Sequence, residues 1–230
     1  MDASDFFSEM ALELHAEPTA ERTIDRIAEY AKLATTCDDA GILLVHARNR
    51  VETAAATSPR VTESHDLQLV HDEGPCLDAI DGAAIYLIAD TASDERWPLW
   101  GPRVADLGMR SALSLRLETR TRRYGSLNLY ASRPGAFDVD DIAVAEIFVR
   151  HASVALASAH NEQGLQVAID ARKLIGQAQG LLMHRYGIDG DRAFEVLRRQ
   201  SQHDNVKLRE VAERVVNEFV QQTIDRPAAS

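Results

Sequence analysis

No proline occurs from Asp138 to Arg226, and this stretch constrains the fold more than any other feature of the sequence. Apolar residues recur in it at intervals of three and four, which places them on one face of a helix. Since proline breaks helices, we predict that the stretch is helical. Gly187 and the pair Asp204-Asn205 interrupt the apolar pattern with residue types that favour helix ends. The stretch therefore predicts three helices, and Pro227 is predicted to close the ordered part of the chain.

The first of these helices is predicted to run from residue 138 to residue 185. Acidic residues at Asp138 to Asp141 favour a helix start there, and Gly164 is the one point where a kink would divide the helix. Two apolar series repeat in it every seven residues: Ile142, Val149 and Leu156, and Ala145, Ala152 and Ala159. Such heptads with small residues favour a parallel coiled-coil homodimer. The alternative is a monomer whose long helix covers its own sheet.

Two shorter helices follow. Asp189 or Asp191 is predicted to cap the second helix, and Phe194 is predicted to be buried in it beside Ala193 and Leu197. The third helix carries apolar residues at helical spacing: Leu208, Val211, Ala212, Val215, Val216 and Phe219. Three short helices bury little surface alone, so we expect them to need a partner helix or a second copy of the chain.

This last part of the chain resembles the ANTAR domain, the RNA-binding module of bacterial transcription antitermination regulators. The residues that carry the resemblance are Ile175, Gln177, Ala178, Gly180, Leu182, Met183, Gly187, Ala193, Phe194, Leu197, Ser201, Leu208, Val211 and Ala212. The sequence departs from the pattern at Gln179, where many members carry lysine. The resemblance implies binding of paired stem-loops in nascent RNA, which prevents formation of a terminator. Two stem-loops match two copies of the module.

Charge limits how such a module can bind RNA. The segment from Leu165 to Arg226 contains 10 Lys and Arg against 9 Asp and Glu, a net of +1, and the rest of the chain has 15 against 27, a net of −12; the two sum to −11. Because the whole surface is acidic, RNA contacts must come from local cations and rings. The candidates are Arg185, Tyr186, Arg198, Arg199, Lys207 and Arg209. One of Arg198 and Arg199 is expected to face RNA while the other pairs with Glu195. The alternative is that these residues form a solvated face.

The first part of the chain predicts a different architecture. Two amphipathic helices are followed by the apolar run from Ala40 to His46 and a second strand from Val51 to Thr57. Helices are predicted at 64–70, 75–80 and 104–107, and strands at 84–88, 111–117 and 124–131, with a basic hairpin tip at Arg120 to Arg123. Helices interleaved with antiparallel strands and closed by a long helix predict an α+β fold.

This region resembles a GAF domain, a sensor domain, of the type that precedes ANTAR modules in actinobacteria. The residues that carry the resemblance are the run Glu73 to Leu77, the pair Trp97-Pro98, the run Arg110 to Ser114 and the run Gly125 to Tyr130. The chain as a whole therefore resembles a GAF-ANTAR regulator. We expect a GAF-like sensor domain at 12–160 and an ANTAR-like three-helix bundle at 161–225, with the helix at 138–185 shared between them.

Candidate chemistry in the sensor part centres on Cys76, Trp97 and Trp100. Cys76 lies at a predicted helix start, where the helix dipole lowers a thiol pKa; the alternative is a small apolar residue packed under the sheet. The two tryptophans either wall a ligand pocket or cover a filled core. The eight histidines show no metal-ligand spacing, so no metal, cofactor or catalytic residue is predicted, and a small-molecule ligand of the GAF domain stays open.

The sequence as a whole predicts a cytoplasmic, non-enzymatic regulator. Two cysteines, Cys37 and Cys76, are too few for a disulfide framework. The sequence contains no run of eighteen apolar residues, so no membrane span is predicted. Two other functions stay open: a GAF-driven dimer that acts on protein or DNA partners, and a GAF-type redox enzyme resembling free methionine sulfoxide reductases.

Overall fold

The structure is a computed structural model that describes residues 3–224, with side chains described for 5–221. The predicted close at Pro227 and the last residue of the predicted second domain, 225, lie outside the described part. Internal contacts divide the chain into two units, Met1–Asn161 and Glu162–Ser230, and each is described by itself.

The first unit is an α+β domain, as predicted. Its helices are α1 (Ala3–Ala16), α2 (Ala20–Ala34), α3 (Pro59–His71), α4 (Pro75–Asp81), α5 (Gly101–Asp106) and the first part of α6 (Val139–Tyr186). Its strands are β1 (Asp39–Val45), β2 (Val51–Ala56), β3 (Ile85–Ile88), β4 (Ser111–Glu118) and β5 (Arg123–Ala131). They form one antiparallel sheet in the order β2-β1-β5-β4-β3.

The two faces of the sheet differ in chemistry because successive side chains of a strand point to opposite sides. Leu127 and Leu129 of β5 and Leu115 of β4 lie on one face, in a large apolar core that α2 and α6 complete. On the opposite face, β5 places Ser126, Asn128 and Tyr130, all buried. Helices α3 and α4 lie on this second face. The buried polar side chains there, which we call the polar layer, lie beside apolar clusters that include Trp100 and Leu43.

Of the two alternatives, one helix or two divided near Gly164, the structure has one: helix α6 runs without a break from Val139 to Tyr186. Its heptad residues Ala145, Ala152 and Leu156 are fully buried in the core of the first unit. The alternative, that the helix covers its own sheet, is therefore correct for these positions. The prediction that these alanines line a dimer seam is wrong, because heptad spacing shows that a face is buried and not what buries it.

Helix α6 is also long and apolar enough to cross a membrane by length and composition alone, with a mean hydropathy of 1.5 in its most apolar window. A third of that window is buried in the folded chain. Phe148 and Ala152, in the first part of this helix, pack in the sheet core.

The second unit consists of the end of α6, α7 (Gly190–Asp204) and α8 (Leu208–Ile224). Gly187, with φ +63°, follows the last residue of α6. Asp189, not Asp191, caps α7, since its carboxylate accepts a bond from the backbone N of Arg192 at 2.8 Å. Asn205 ends α7 in the left-handed conformation, which asparagine tolerates well. The buried core residues are Ala178, Leu182, Ala193, Leu197, Val211 and Ala212.

Candidate functional site

The six candidate RNA contacts of the second unit lie in two groups, at opposite ends of α7. Arg185 and Tyr186 end α6, just before the turn into α7, whereas Lys207 and Arg209 lie at the turn from α7 into α8. With 15 residues and a rise of about 1.5 Å per residue, α7 separates the two turns by about 22 Å. The structure therefore does not bring the six residues into one cluster.

The two adjacent arginines of α7 differ in their contacts. Arg198 donates to the carboxylate of Glu195 at 2.7 Å, which confirms that one of the pair is held by Glu195. Arg199 is exposed, and among the described residues no carboxylate lies within ion-pair distance of it, of Lys207 or of Arg209. These three cations at the C-terminal end of α7 and the start of α8 are free to meet phosphate groups.

An acidic residue in the same region is neutralised. Asp204 accepts from Arg214 at 2.6 Å and from Gln200 at 2.9 Å, and it lies 3.1 Å from His203. The hydrogen bonds from His203, Gln200 and Arg214 lower the pKa of Asp204 to about 2. Arg214 is therefore occupied by Asp204, and it compensates the charge that would otherwise repel phosphate at this turn.

The other end of α7 presents aromatic and apolar surface. Tyr186 is 62% exposed, with the guanidinium of Arg185 lying 5.7 Å from the centre of its ring. Phe194 is 37% exposed and Met183 40% exposed. The prediction that Phe194 is buried is wrong: the buried stripe of α7 passes through Ala193 and Leu197, and the next residue lies about 100° away from Ala193. In the sequence, Ala193, Leu197 and Ser201 recur every four residues on one helix face, and this pattern indicates that Phe194 lies off the buried face.

In the first unit, Cys76 packs under the sheet against Leu43 and Ile80, and its thiol also has polar neighbours. Its Sγ is 2.8 Å from Nε2 of Gln68, 3.4 Å from the hydroxyl of Tyr130 and 3.6 Å from Oγ of Ser114. Cys76 is fully buried, and burial raises its thiol pKa. The lowering expected from a helix start is absent, because desolvation is the larger effect. Burial likewise raises the pKa of Cys37 to about 11.

Trp97 and Trp100 are buried in an apolar cluster of the first unit. Trp97 is 4% exposed and Trp100 is fully buried, with ring centres 6.0 Å apart in an edge-to-face arrangement. Trp100 Nε1 donates to the backbone O and to Oγ of Ser64 on α3, both at 3.2 Å. Trp97 Nε1 donates to Asp78 of α4 at 2.9 Å. The segment from Trp97 to Trp100, which we call the tryptophan loop, therefore holds both helices that cover the polar layer.

A buried histidine completes the polar layer. His65 is fully buried between Thr53 Oγ1 at 3.2 Å and Asn128 Nδ2 at 3.3 Å. Burial lowers its pKa to about 3, so the ring is neutral at physiological pH. Neither His65 nor Gln68 stands in a recognisable sequence motif, so the sequence does not mark them as site residues.

Comparison with known proteins assigns both units. A family model of the GAF domain matches residues 17–157, which is more than half of the chain. The chain belongs to the GAF family. A second family model, of the ANTAR domain, matches residues 163–216. The order of the two matches is that of a GAF-ANTAR regulator, as the sequence predicted. No curated protein matches the chain significantly.

Solved structures agree on the fold of the GAF domain. The GAF domain of an Acinetobacter phosphoenolpyruvate-protein phosphotransferase has a TM-score of 0.55 at 16% identity, covering 71% of this chain and 99% of its own. The corresponding domain from Coxiella burnetii has a TM-score of 0.58 at 12% identity, covering 71% and 98%. The free methionine-R-sulfoxide reductase of Neisseria meningitidis, solved with its substrate, has a TM-score of 0.55 at 14% identity, covering 70% and 91%. At such identities the likeness shows the fold alone.

Within the GAF domain, the run Glu73 to Cys76 has a structural role. Glu73 accepts the backbone N–H groups of Leu99 and Trp100 at 2.6 and 2.9 Å. Gly74 has φ +147°, and a Cβ there would lie 2.2 Å from Oε1 of Gln68. Glycine is therefore required, since both the backbone conformation and the close approach exclude a side chain.

In the ANTAR domain, the departure at Gln179 has a local explanation. Its Nε2 lies 3.2 Å from the backbone O of Gly190, the first residue of α7. The amide therefore ties α6 to the start of α7. A lysine here would exchange this neutral tie for a cation, so this turn offers less positive charge than many members of the family do.

Proposed function

We propose that this chain is a cytoplasmic transcription antitermination regulator whose ANTAR domain binds paired stem-loops in nascent RNA. The observation that carries the proposal is the ANTAR match at 163–216. The layout of the folded bundle supports it. Free cations lie at the turn between α7 and α8, while exposed rings lie at the turn between α6 and α7.

The separation of the two groups suits a hairpin. Unpaired loop bases stack on exposed rings, which Tyr186 and Phe194 supply. Phosphates of the same hairpin meet Arg199, Lys207 and Arg209, and the guanidinium and ammonium groups release counterions on binding. Because the chain carries a net charge of −11, affinity rests on these local contacts and not on bulk attraction.

We further propose that the regulator acts as a homodimer joined along the exposed side of α6. Every residue from 161 to 170 is exposed, and an isolated helix in water is marginally stable. Exposed apolar residues Ile147, Val154 and Leu165 lie at intervals of 7 and 11, both close to whole helical turns. Asn161 follows Val154 by seven, and one asparagine in such a seam sets register and favours a dimer. Two copies then match two stem-loops.

The GAF domain acts in this proposal as a non-enzymatic sensor. Neither thiol is poised for nucleophilic attack, since burial raises the pKa of both Cys37 and Cys76. A small polar ligand, if one binds, would enter the polar layer by parting α3 and α4 from the sheet, around Cys76. The tryptophan loop, which fastens both helices, would move with it.

Selection from a pool of two-hairpin RNAs with randomised loops tests the function. We expect enrichment of defined loop sequences, a stoichiometry of two chains per RNA, and weaker binding when one hairpin is deleted. The matched control is the variant Arg199→Ala/Lys207→Ala/Arg209→Ala, which should keep its helix content by circular dichroism. Failure to enrich any structured RNA would refute the proposal, and binding to duplex DNA in a parallel selection would favour the alternative of a DNA-binding dimer.

A further inference from the structure

The GAF domain carries a compact basic surface at one end of its sheet. The loop from β1 to β2 and the hairpin from β4 to β5 meet there, because β1 and β5 are antiparallel neighbours with Leu44 opposite Gly125. We call residues 46–50 and 119–123 the arginine rim. These ten residues contain no Asp or Glu and five arginines: Arg48, Arg50, Arg120, Arg122 and Arg123.

The arginine rim is basic, whereas the domain that carries it is acidic. Residues 1–161 contain 15 Lys and Arg against 26 Asp and Glu, a net of −11. One third of the 15 cations therefore fall in ten residues. A local reversal of sign on an acidic domain is a feature expected of a binding surface for an anion, since like charges at close range repel unless a partner offsets them.

Part of this charge is unpaired. Arg50 lies 2.9 Å from Glu52, and Arg123 lies 3.2 Å from Asp81. In the part of the chain that the structure describes, no carboxylate comes within ion-pair distance of Arg48, Arg120 or Arg122. All three are exposed, so three guanidinium groups at one end of the sheet are available to a partner.

The rim is also held in place. The guanidinium of Arg122 lies 5.0 Å from the ring centre of Tyr124, and that ring stacks on His160 of α6 at 5.7 Å. Burial, and then the charges of Arg122 and His46, lower the pKa of His160, while Glu21 raises it. Arg48 has φ 64°, in the left-handed region that few non-glycine residues adopt.

We propose that the arginine rim binds the phosphate backbone of RNA that flanks the stem-loops held by the ANTAR domain. The inference rests on the proposed function and places a second RNA contact on the sensor domain. Guanidinium groups match phosphate geometry. Tyr124, the aromatic residue that follows the rim, is buried, so we expect the contact to depend on charge and not on base sequence.

The experiment uses the full chain and the two-hairpin RNA obtained by selection, once trimmed to the hairpins and once with single-stranded flanks. Binding is measured against salt concentration for the wild type and for Arg48→Ala/Arg120→Ala/Arg122→Ala. The control, Arg22→Ala/Arg103→Ala/Arg133→Ala, removes the same charge from exposed arginines of the same domain that lie outside the rim. Circular dichroism and tryptophan fluorescence verify the fold of each variant.

For flanked RNA we expect the rim variant to lower the slope of log affinity against log salt by about 2, since each single-strand phosphate contact contributes about 0.7. For trimmed RNA its slope should equal that of the wild type, and the control should change neither. If rim variant and wild type show the same slope on flanked RNA, the inference fails while the proposed function stands. If the wild type binds no hairpin RNA, both fail. Loss of binding to phosphatidylserine vesicles with an unchanged RNA slope would assign the rim to lipid and overturn the inference.

Discussion

The side chain of Gln68 holds Cys76 at two atoms. Its Oε1 accepts the backbone N–H of Cys76 at 2.9 Å, and its Nε2 lies 2.8 Å from the Cys76 Sγ. Gln68 belongs to α3 and Cys76 to the first turn of α4, so one amide links the two helices that cover the polar layer. It also satisfies a backbone donor that the start of a helix leaves without a partner.

This link predicts that Gln68→Leu destabilises the GAF domain by about 1–3 kcal/mol, the cost of leaving a buried polar group unsatisfied. Urea unfolding followed by tryptophan fluorescence measures the first unit alone, since both tryptophans lie in it. Equal stability of Gln68→Leu and wild type would contradict the assignment.

Cys76→Ser should fold and keep RNA binding, because serine can also accept from Gln68.

Two substitutions on α6 separate core packing from dimer formation. Ala152→Glu places an unpaired charge in the sheet core and should destabilise the GAF domain by about 3–5 kcal/mol. Val154→Glu, which is 66% exposed in the single chain, should leave the fold intact and yield monomers by sedimentation. Val154→Thr is the matched control and should stay dimeric. A wild-type monomer at micromolar concentration would refute the proposed seam.

Acidification should destabilise the GAF domain through His65. Its pKa is lowered from 6.5 to about 3 by burial, so the unfolded chain binds a proton between these values that the folded chain does not. Stability is therefore full above pH 6.5 and falls as the pH drops. Between pH 6.5 and 5 the wild type should lose about 1.5 kcal/mol more than His65→Gln. Parallel loss in the two proteins would show that His65 does not cause the effect.

The adjacent arginines of α7 should differ in RNA binding. Arg199→Ala should lower the salt slope by roughly one counterion, because the side chain is free to meet phosphate. Arg198→Ala should change it less, since Glu195 already pairs with Arg198. The slopes are measured on the selected two-hairpin RNA. A larger effect from Arg198 would mean that RNA displaces Glu195, and the assignment of free cations would then be wrong.

Much of this fold follows from local pattern in the sequence. The apolar run that became β1, Pro75 at the start of α4, and Gly187 and Asn205 at the ends of α6 and α7 all act through their own backbone or immediate neighbours. Local residue chemistry therefore predicts element order and helix ends, and the family resemblances add the architecture.

The surroundings of a buried residue are a different matter. The alanines of α6 indicate a buried face, but only the structure shows that the chain's own sheet covers it. Cys76 meets Gln68, Ser114 and Tyr130, which are distant in sequence, and no local rule predicts that polar group of neighbours. The exposure of Phe194 could have been predicted from the sequence. It follows Ala193 of the buried face, and each step along a helix turns the side chain by about 100°.

Crosslinking of the chain to RNA in its own cells, followed by sequencing of the bound RNA, tests the proposed RNA binding directly. We expect enrichment of paired stem-loops that overlap terminators. We also expect loss of that enrichment in Arg199→Ala/Lys207→Ala/Arg209→Ala at equal protein level. Absence of structured RNA among the crosslinked material, or equal recovery with the variant, would contradict the proposed function.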